Sequence, residues 1–274
     1  IDKDFELCDP EHDERYREYW ELYHSLMRRR GVSVNEARTR VRTNTTLIGA
    51  LMVRRGEADA MLCGPQSQYT EHLPHLFSVL GLREGVKRCA SLGMLILPKG
   101  TYFICDPYLN AGPTAEQVAE SAVLSAEALR RFGITPKAAL ISHSNFGSSQ
   151  LEPAQKMREA LKLIKARAPG LEVEGEMHVD LALEEGLRTS LMKDTDLSGS
   201  ANLLIMPSID AANATYTALR SLADGVAVGP MLLGLRYPAH IITDTTTTRG
   251  ILNMIAVTVV EAQSSADREL PFNG

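Results

Sequence analysis

Apolar positions along this chain follow two periods, one near three and a half residues and one near two. From Glu11 to Arg30, Tyr16, Tyr19, Trp20, Tyr23, Leu26 and Met27 recur at helical spacing, and Gly31 closes the segment. Asn35–Arg55 reads as a second helix ended by Gly56, and Tyr69–Leu80 as a third despite Pro74. The run 58-ADAMLC-63 meets a Gly-Pro stop and predicts a buried strand. The runs 94-MLIL-97 and 101-TYFICD-106 flank Pro98-Lys99-Gly100 and predict a hairpin. Ala115–Phe132 is an amphipathic helix stopped by Gly133. After it come a strand at 138–143, a helix over Glu152–Ala168, strands around 174–179 and 202–207, and a helix over Ala211–Ala223. The chain ends with a strand at 239–243 and a helix from about Arg249 to Gln263. Strands alternating with long helices predict an α/β fold with much parallel sheet. No internal repeat or low-complexity linker interrupts the order.

In such folds ligands gather beyond the carboxyl ends of the strands. That selects 142-SHSNFGSS-149, 207-PSIDAANA-214 and 243-TDTTTTRG-250, although all three also have the composition of turns and helix caps. The last loop has five threonines within six residues at the expected start of a helix, where backbone N–H groups attract anions. Asp244, a carboxylate, sits among them. Arg249 is placed to reach an anion, to pair with Asp244, or to stay solvated. Arg28, Arg29 and Arg30 suit a helix carboxyl end, where the dipole favours cations.

The seven histidines offer no metal site, because Pro74 separates His72 from His75 and no carboxylates cluster near them. His143, His178 and His240 adjoin strand ends and read as hydrogen-bonded structural residues. No P-loop, Gly-rich dinucleotide fingerprint or nucleophile elbow is present, so no NADP site is expected within these residues.

Composition changes this picture little. The chain has 274 residues, 44% hydrophobic and 23% charged, with room for one large or two smaller domains. A formal charge of −5 argues against a nucleic-acid partner held by bulk positive charge. No apolar run approaches the ~18 residues of a membrane span, and no secretory signal opens the sequence. Cys8, Cys63, Cys89 and Cys105 are scattered, read as reduced and mostly buried, and suggest the cytoplasm. The abrupt opening at Ile1 suggests a piece of a longer polypeptide.

Over nearly its whole length the sequence resembles the phosphotransacetylases, which move acetyl between CoA and phosphate. The resemblance rests on GEADAMLCG at 56–64, AEQVAESAVLSAEAL at 115–129, AALISHSNFGSS at 138–149, EVEGEMHVDLAL at 172–183, NLLIMPSIDAANATY at 202–216 and GPMLLGLRYPAHII at 229–242. The segment HDERYREYWELYHSLMRRRGVSVNEARTRVRTNTT at 12–46, with EGEMH, ISHSNFG and AHIITDTTTTRGILNM, is similar to one subset. That subset is the phosphotransacetylase-like C-terminal domain of bacterial NADP-dependent malic enzymes. The family's first βαβ stretch is missing here. The resemblance implies a two-domain fold of the isocitrate/isopropylmalate dehydrogenase type. Its first domain would be discontinuous (1–85 with 230–274) and its second would span 86–229.

The resemblance also implies where acetyl-transfer chemistry should lie, and the residues there have changed. The family's serine falls on Thr243, its arginine on Asp244 and its aspartate on Gly250. Two further arginines fall on Pro74 and Met27, and a lysine on Phe146. Loss of a general base typically lowers a rate about 10²–10⁴-fold, and loss of a charge stabiliser about 10²–10³-fold more. The expectation is a catalytically inactive module. It would bind acetyl-CoA as an effector through Ser144, Asn145, Phe146, Asp210, Asn213, Tyr216, Arg236, Tyr237, Thr243, Thr245, Thr246 and Arg249. Through that ligand it would inhibit a fused malic enzyme domain, which alone would hold NADP and a divalent metal. The implied assembly is a homodimer of the module and a hexamer of the full protein. The alternatives are an active phosphate acetyltransferase and an oligomerisation module without ligand.

Overall fold

The computed structural model describes residues 6–10 and 12–266. In chain order the elements are α1 (Tyr16–Met27) with a 3₁₀ turn at Arg28–Arg30, α2 (Val34–Thr43), α3 (Thr45–Arg54), β1 (Met61–Cys63) and α4 (Tyr69–Val79). Next come β2 (Ala90–Leu97), β3 (Gly100–Cys105), α5 (Ala115–Arg131), β4 (Lys137–Ile141), α6 (Glu152–Arg167) and β5 (Glu172–Met177). The chain continues with α7 (Val179–Leu183), α8 (Glu185–Leu191), β6 (Leu203–Ile205), α9 (Ile209–Leu222), β7 (Val226–Leu233), β8 (Ala239–Ile241) and α10 (Thr248–Ala266).

Most elements follow the sequence periodicity, and the exceptions have physical reasons. The helix expected over Asn35–Arg55 is two helices. Asn44 takes extended backbone, and its side-chain oxygen accepts the Leu47 N–H at 2.8 Å, so it starts α3 rather than continuing α2. β7 was not expected, because Gly229-Pro230 reads as a turn; it lies at the edge of its sheet, where proline is tolerated. The short helices α7 and α8 were not expected either, being too brief to show a period. The first helix begins at Tyr16; Glu11, where the sequence placed its start, lies outside the described residues.

The chain divides into two compact units, Ile1–Arg83 with Leu235–Thr246 and Ile255–Gly274, and Glu84–Gly234 with Thr247–Met254. The second unit is built on a six-stranded sheet ordered β5-β4-β6-β3-β2-β7. The strands from β5 through β3 run parallel, whereas β2 is antiparallel to both β3 and β7. The expected hairpin pairs Leu92 with Cys105 and Leu97 with Gly100. Thr114 and Gln117 close a capping box at the start of α5, which packs alanines and leucines inward. On one side of the sheet, Leu95, Ile104, Ile141, Met177, Leu204, Met206 and Tyr216 form a buried core cluster. Tyr216 lies over Gly93, where an added Cβ would come 2.5 Å from the ring, so only glycine admits that ring.

In the first unit, helices α1 to α4 bury Tyr19, Tyr23, Leu47, Leu51, Leu76 and Leu80. Each such side chain contributes about 1.5–3 kcal/mol of burial. Its sheet is the two-stranded parallel pair β1 and β8, with Met61 opposite Ala239 and Cys63 opposite Ile241. Gly64 follows β1 with φ of 91°, and a Cβ there would meet the Ile242 carbonyl oxygen at 2.2 Å. That close approach fixes the chain just before the threonine loop.

Candidate functional site

In the second unit, β4 delivers residues 142–149 to the carboxyl end of the sheet, beside the end of β5. The loop wraps around one buried carboxylate, Glu176, which the sequence reading did not single out. The Ser144 hydroxyl donates to Glu176 Oε1 at 2.6 Å, the Gly147 N–H at 2.9 Å and Arg158 Nη1 from α6 at 2.7 Å. The Phe146 N–H donates to the Glu176 carbonyl at 2.8 Å, and Asn145 Oδ1 accepts the His178 N–H at 2.8 Å. Phe146 and Gly147 both take left-handed backbone, with φ of 50° and 90°, which turns the loop back over the carboxylate. Burial alone would raise the Glu176 pKa, but the hydrogen bonds from Ser144, Gly147 and Arg158 outweigh it and hold the group below its ordinary range.

Ser144 is therefore wholly buried, with its hydroxyl committed to Glu176. Phe146 packs against the core cluster that also contains Tyr216, which is 1% exposed. Both Ser144 and Tyr216, expected as ligand contacts, are thus buried in this structure. Asn145 is half-buried. On α9, Asp210 is exposed in the first turn, where the helix dipole favours an anion, and Asn213 Nδ2 donates to the Pro107 carbonyl at 3.2 Å. Lys156 Nζ donates to the Pro207 carbonyl at 2.7 Å, so α6 brings a cation to the start of the α9 loop. Partial burial depresses that lysine's pKa. Lys156 lies in an ordinary amphipathic helix, and nothing in its local pattern sets it apart.

In the first unit, the loop after β8 is a hydroxyl turn. The Thr243 N–H donates to Thr246 Oγ1 at 3.1 Å, and the Thr246 N–H returns to the Thr243 carbonyl at 3.0 Å. Thr243 Oγ1 lies 3.1 Å from Thr245 Oγ1 and 3.2 Å from Thr246 Oγ1. Thr247 then starts α10, its Oγ1 accepting the Gly250 N–H at 3.1 Å. Asp244 projects to solvent, and Arg249 is exposed in the first turn of α10. Arg236 is exposed as well, with its guanidinium 6.0 Å from the Tyr237 ring, and its N–H donates to the Gly81 carbonyl at 3.1 Å. The turn offers hydroxyls and backbone to a ligand, with a carboxylate as its own charged side chain. It contains no histidine, lysine or arginine, and its ionisable side chain is the Asp244 carboxylate.

His72, His75, His143 and His240 are engaged in structure. His72 bonds Thr46 Oγ1 and the Gln66 carbonyl, each at 2.8 Å, His75 lies 3.0 Å from Asn44 Nδ2, and His143 lies 3.1 Å from Ser149 Oγ. Buried His240 lies 3.0 Å from Glu261. Among the described residues no group of three or more His, Cys, Asp or Glu side chains could hold a metal ion, and no helix is long and apolar enough to cross a membrane.

Comparison with known proteins adds to this geometry. The family model described as phosphate acetyl/butaryl transferase matches residues 1–259. Over 261 residues the chain is 50% identical to an NAD-dependent malic enzyme of Rhizobium meliloti, covering 95% of this chain and 34% of that protein. Over 263 residues it is 49% identical to an NADP-dependent malic enzyme of Salmonella typhimurium, covering 96% of this chain and 35% of that one. The chain thus spans about a third of the length of these relatives. Among solved structures, a phosphotransacetylase from Streptococcus pyogenes superimposes with a TM-score of 0.90 at 25% identity, covering 97% of this chain and 80% of that one.

Proposed function

The chain belongs to the phosphate acetyl/butaryl transferase family, and from that premise we propose that it is a ligand-sensing module of a malic enzyme rather than a working acetyltransferase. In this reading it binds acetyl-CoA, and occupancy inhibits oxidative decarboxylation of malate by the remainder of a longer polypeptide. The dinucleotide and the divalent metal belong to that remainder. The support for the fused partner is the half-identity to two malic enzymes three times as long.

The observation that carries the loss of transfer chemistry is the threonine turn. Holding phosphate in a transition state needs cations. At 243–246 the hydroxyls bond to one another and the charged member is Asp244. A carboxylate there repels phosphate and acetyl phosphate, but it matters less to a large ligand anchored through its nucleotide and pantetheine portions. Within the first unit the exposed Arg236 and Thr245 and the half-buried Tyr237, Thr243 and Thr246 remain proposed contacts, and within the second the exposed Asp210 and Arg249 and the half-buried Asn145 and Asn213 do. Sensing then requires only that acetyl-CoA prefer one state of the protein, with a coupling of about 1–3 kcal/mol.

The test compares the full-length polypeptide with a version lacking this module, assaying malate oxidation against rising acetyl-CoA. Deletion should abolish the inhibition while oxidation persists. Equal inhibition of both proteins would place the sensor elsewhere.

A further inference from the structure

At the carboxyl end of β3, within the second unit, residues 106–111 turn towards α5 around a second buried carboxylate. Asp106 is 8% exposed. Its Oδ1 accepts the Ser91 N–H at 2.9 Å, the Leu109 N–H at 3.2 Å and the Ser91 hydroxyl. Its Oδ2 accepts Asn110 Nδ2, which also donates to the Cys89 carbonyl at 3.0 Å. The Ser91 hydroxyl oxygen accepts the Tyr108 N–H at 2.9 Å. Ser91 and Asn110 are buried with Asp106, so three polar side chains are enclosed to shape one turn. Among the described residues no cation forms an ion pair with Asp106, and burial pushes its pKa up despite these donors. Burying a charge without a counter-ion costs stability, so what this carboxylate provides is the geometry of the turn.

That geometry is passed to α9. The Ala111 carbonyl accepts the Ile209 N–H at 3.5 Å, and the Tyr108 ring stands edge-on to the Tyr216 ring with centroids 6.3 Å apart. The Pro107 carbonyl accepts Asn213 Nδ2 at 3.2 Å. A carbonyl can only accept, so this bond fixes which end of the Asn213 amide faces the turn. Asn213 Oδ1 is thereby directed away from Pro107, and no described residue donates to it. Asn213 is half-buried and lies three positions along α9 from the exposed Asp210, on the same face.

We propose that Asp106 is a positioning residue of the ligand site: through the Pro107 carbonyl it holds Asn213 so that Oδ1 accepts a hydrogen bond from an N–H or O–H group of the ligand. The inference rests on the acetyl-CoA reading above, and that molecule carries such donors in its pantetheine amides, its hydroxyls and its adenine amine. A ligand acceptor brought to the same place would meet Oδ1 with neither group paired, so the fixed amide discriminates between the two.

Two readouts on the chain test it. In magnetic resonance spectra of isotope-labelled protein, the Asn213 side-chain amide protons should exchange slowly with solvent in the parent. They should exchange on the order of tenfold faster in Asp106→Asn and in Ser91→Ala, which removes one donor to Asp106. Asn213→Ala should weaken acetyl-CoA binding about tenfold, the worth of roughly one hydrogen bond. Asp106→Asn should weaken it to a similar extent. The double variant should lose about tenfold rather than about a hundredfold, because both residues act through one contact. If Asp106→Asn does not fold, Ser91→Ala takes its place in the same cycle. Additive losses would overturn the proposal, as would Asn213 amide exchange unchanged by either substitution. A parent that does not bind acetyl-CoA would overturn the ligand reading instead, and amide exchange would then decide the positioning by itself.

Discussion

The loops after β4 and β8 are made of similar residues and behave as opposites. Residues 142–149 fold around Glu176, a buried carboxylate that takes three donors on one oxygen, two of them from the loop itself. Residues 243–246 close on their own hydroxyls at the surface, with Asp244 facing solvent. In the first loop the polar groups are used up holding a shape. In the second they bond to one another, and the ionised group among them is a carboxylate rather than a cation. Small polar residues after a strand thus do not by themselves distinguish a scaffold from a binding site. The distinction lies in what each side chain is already bonded to.

Several substitutions can break or sharpen that contrast. The largest effect belongs to Glu176→Ala, which leaves Arg158, Ser144 and the Gly147 N–H without their acceptor. Breaking a buried charged pair from one side costs about 3–5 kcal/mol, so urea denaturation should show a loss of that size. A loss under about 1 kcal/mol, the scale of an ordinary hydrogen bond, would mean that the loop is not held by this carboxylate.

The same group gives a pH dependence. Its folded pKa lies below the ordinary value of 4.5, so its contribution is present above that value and disappears as pH falls through the lower folded pKa. Melting temperatures of the parent should therefore fall more steeply below pH 4.5 than those of Glu176→Gln. Parallel acid profiles would remove Glu176 from the explanation of acid sensitivity.

Asn145→Ala removes only the bond to the His178 N–H and should lower stability by about 1 kcal/mol, the usual worth of one such bond. The smallest change is expected at Asp244→Arg. An exposed substitution away from packing shifts stability by no more than about 0.5 kcal/mol. Inorganic phosphate should nevertheless bind the variant several-fold more tightly, as read by calorimetry, because a like charge has been replaced by an opposite one. Unchanged phosphate affinity would show that the turn does not face the anion.

Much of this architecture is legible in sequence, and the gaps are specific. Ala115–Arg131 shows its amphipathic period, its Thr-x-x-Gln cap and its terminal glycine together, so its bounds follow from local chemistry. Asn44 hides between two helical patterns, and its capping role is set by which N–H its side chain reaches. β7 conceals itself behind Gly229-Pro230, because being at an edge is a property of the whole sheet. The threonine loop was visible as a cluster of hydroxyls around one acid. The Glu176 network was not, since it joins residues 18 and 32 positions apart that meet only once β4, β5 and α6 are packed.

The proposed sensing role requires this module to hold acetyl-CoA without transferring its acetyl group. Calorimetric titration of the chain with acetyl-CoA, run beside an assay of CoA acetylation from acetyl phosphate on the same preparation, tests it most directly. Saturable binding of acetyl-CoA is expected, with no acetyl-CoA formed above the uncatalysed rate. Turnover at ordinary enzyme rates, on the order of 1–10³ per second, or no binding at all, would contradict it.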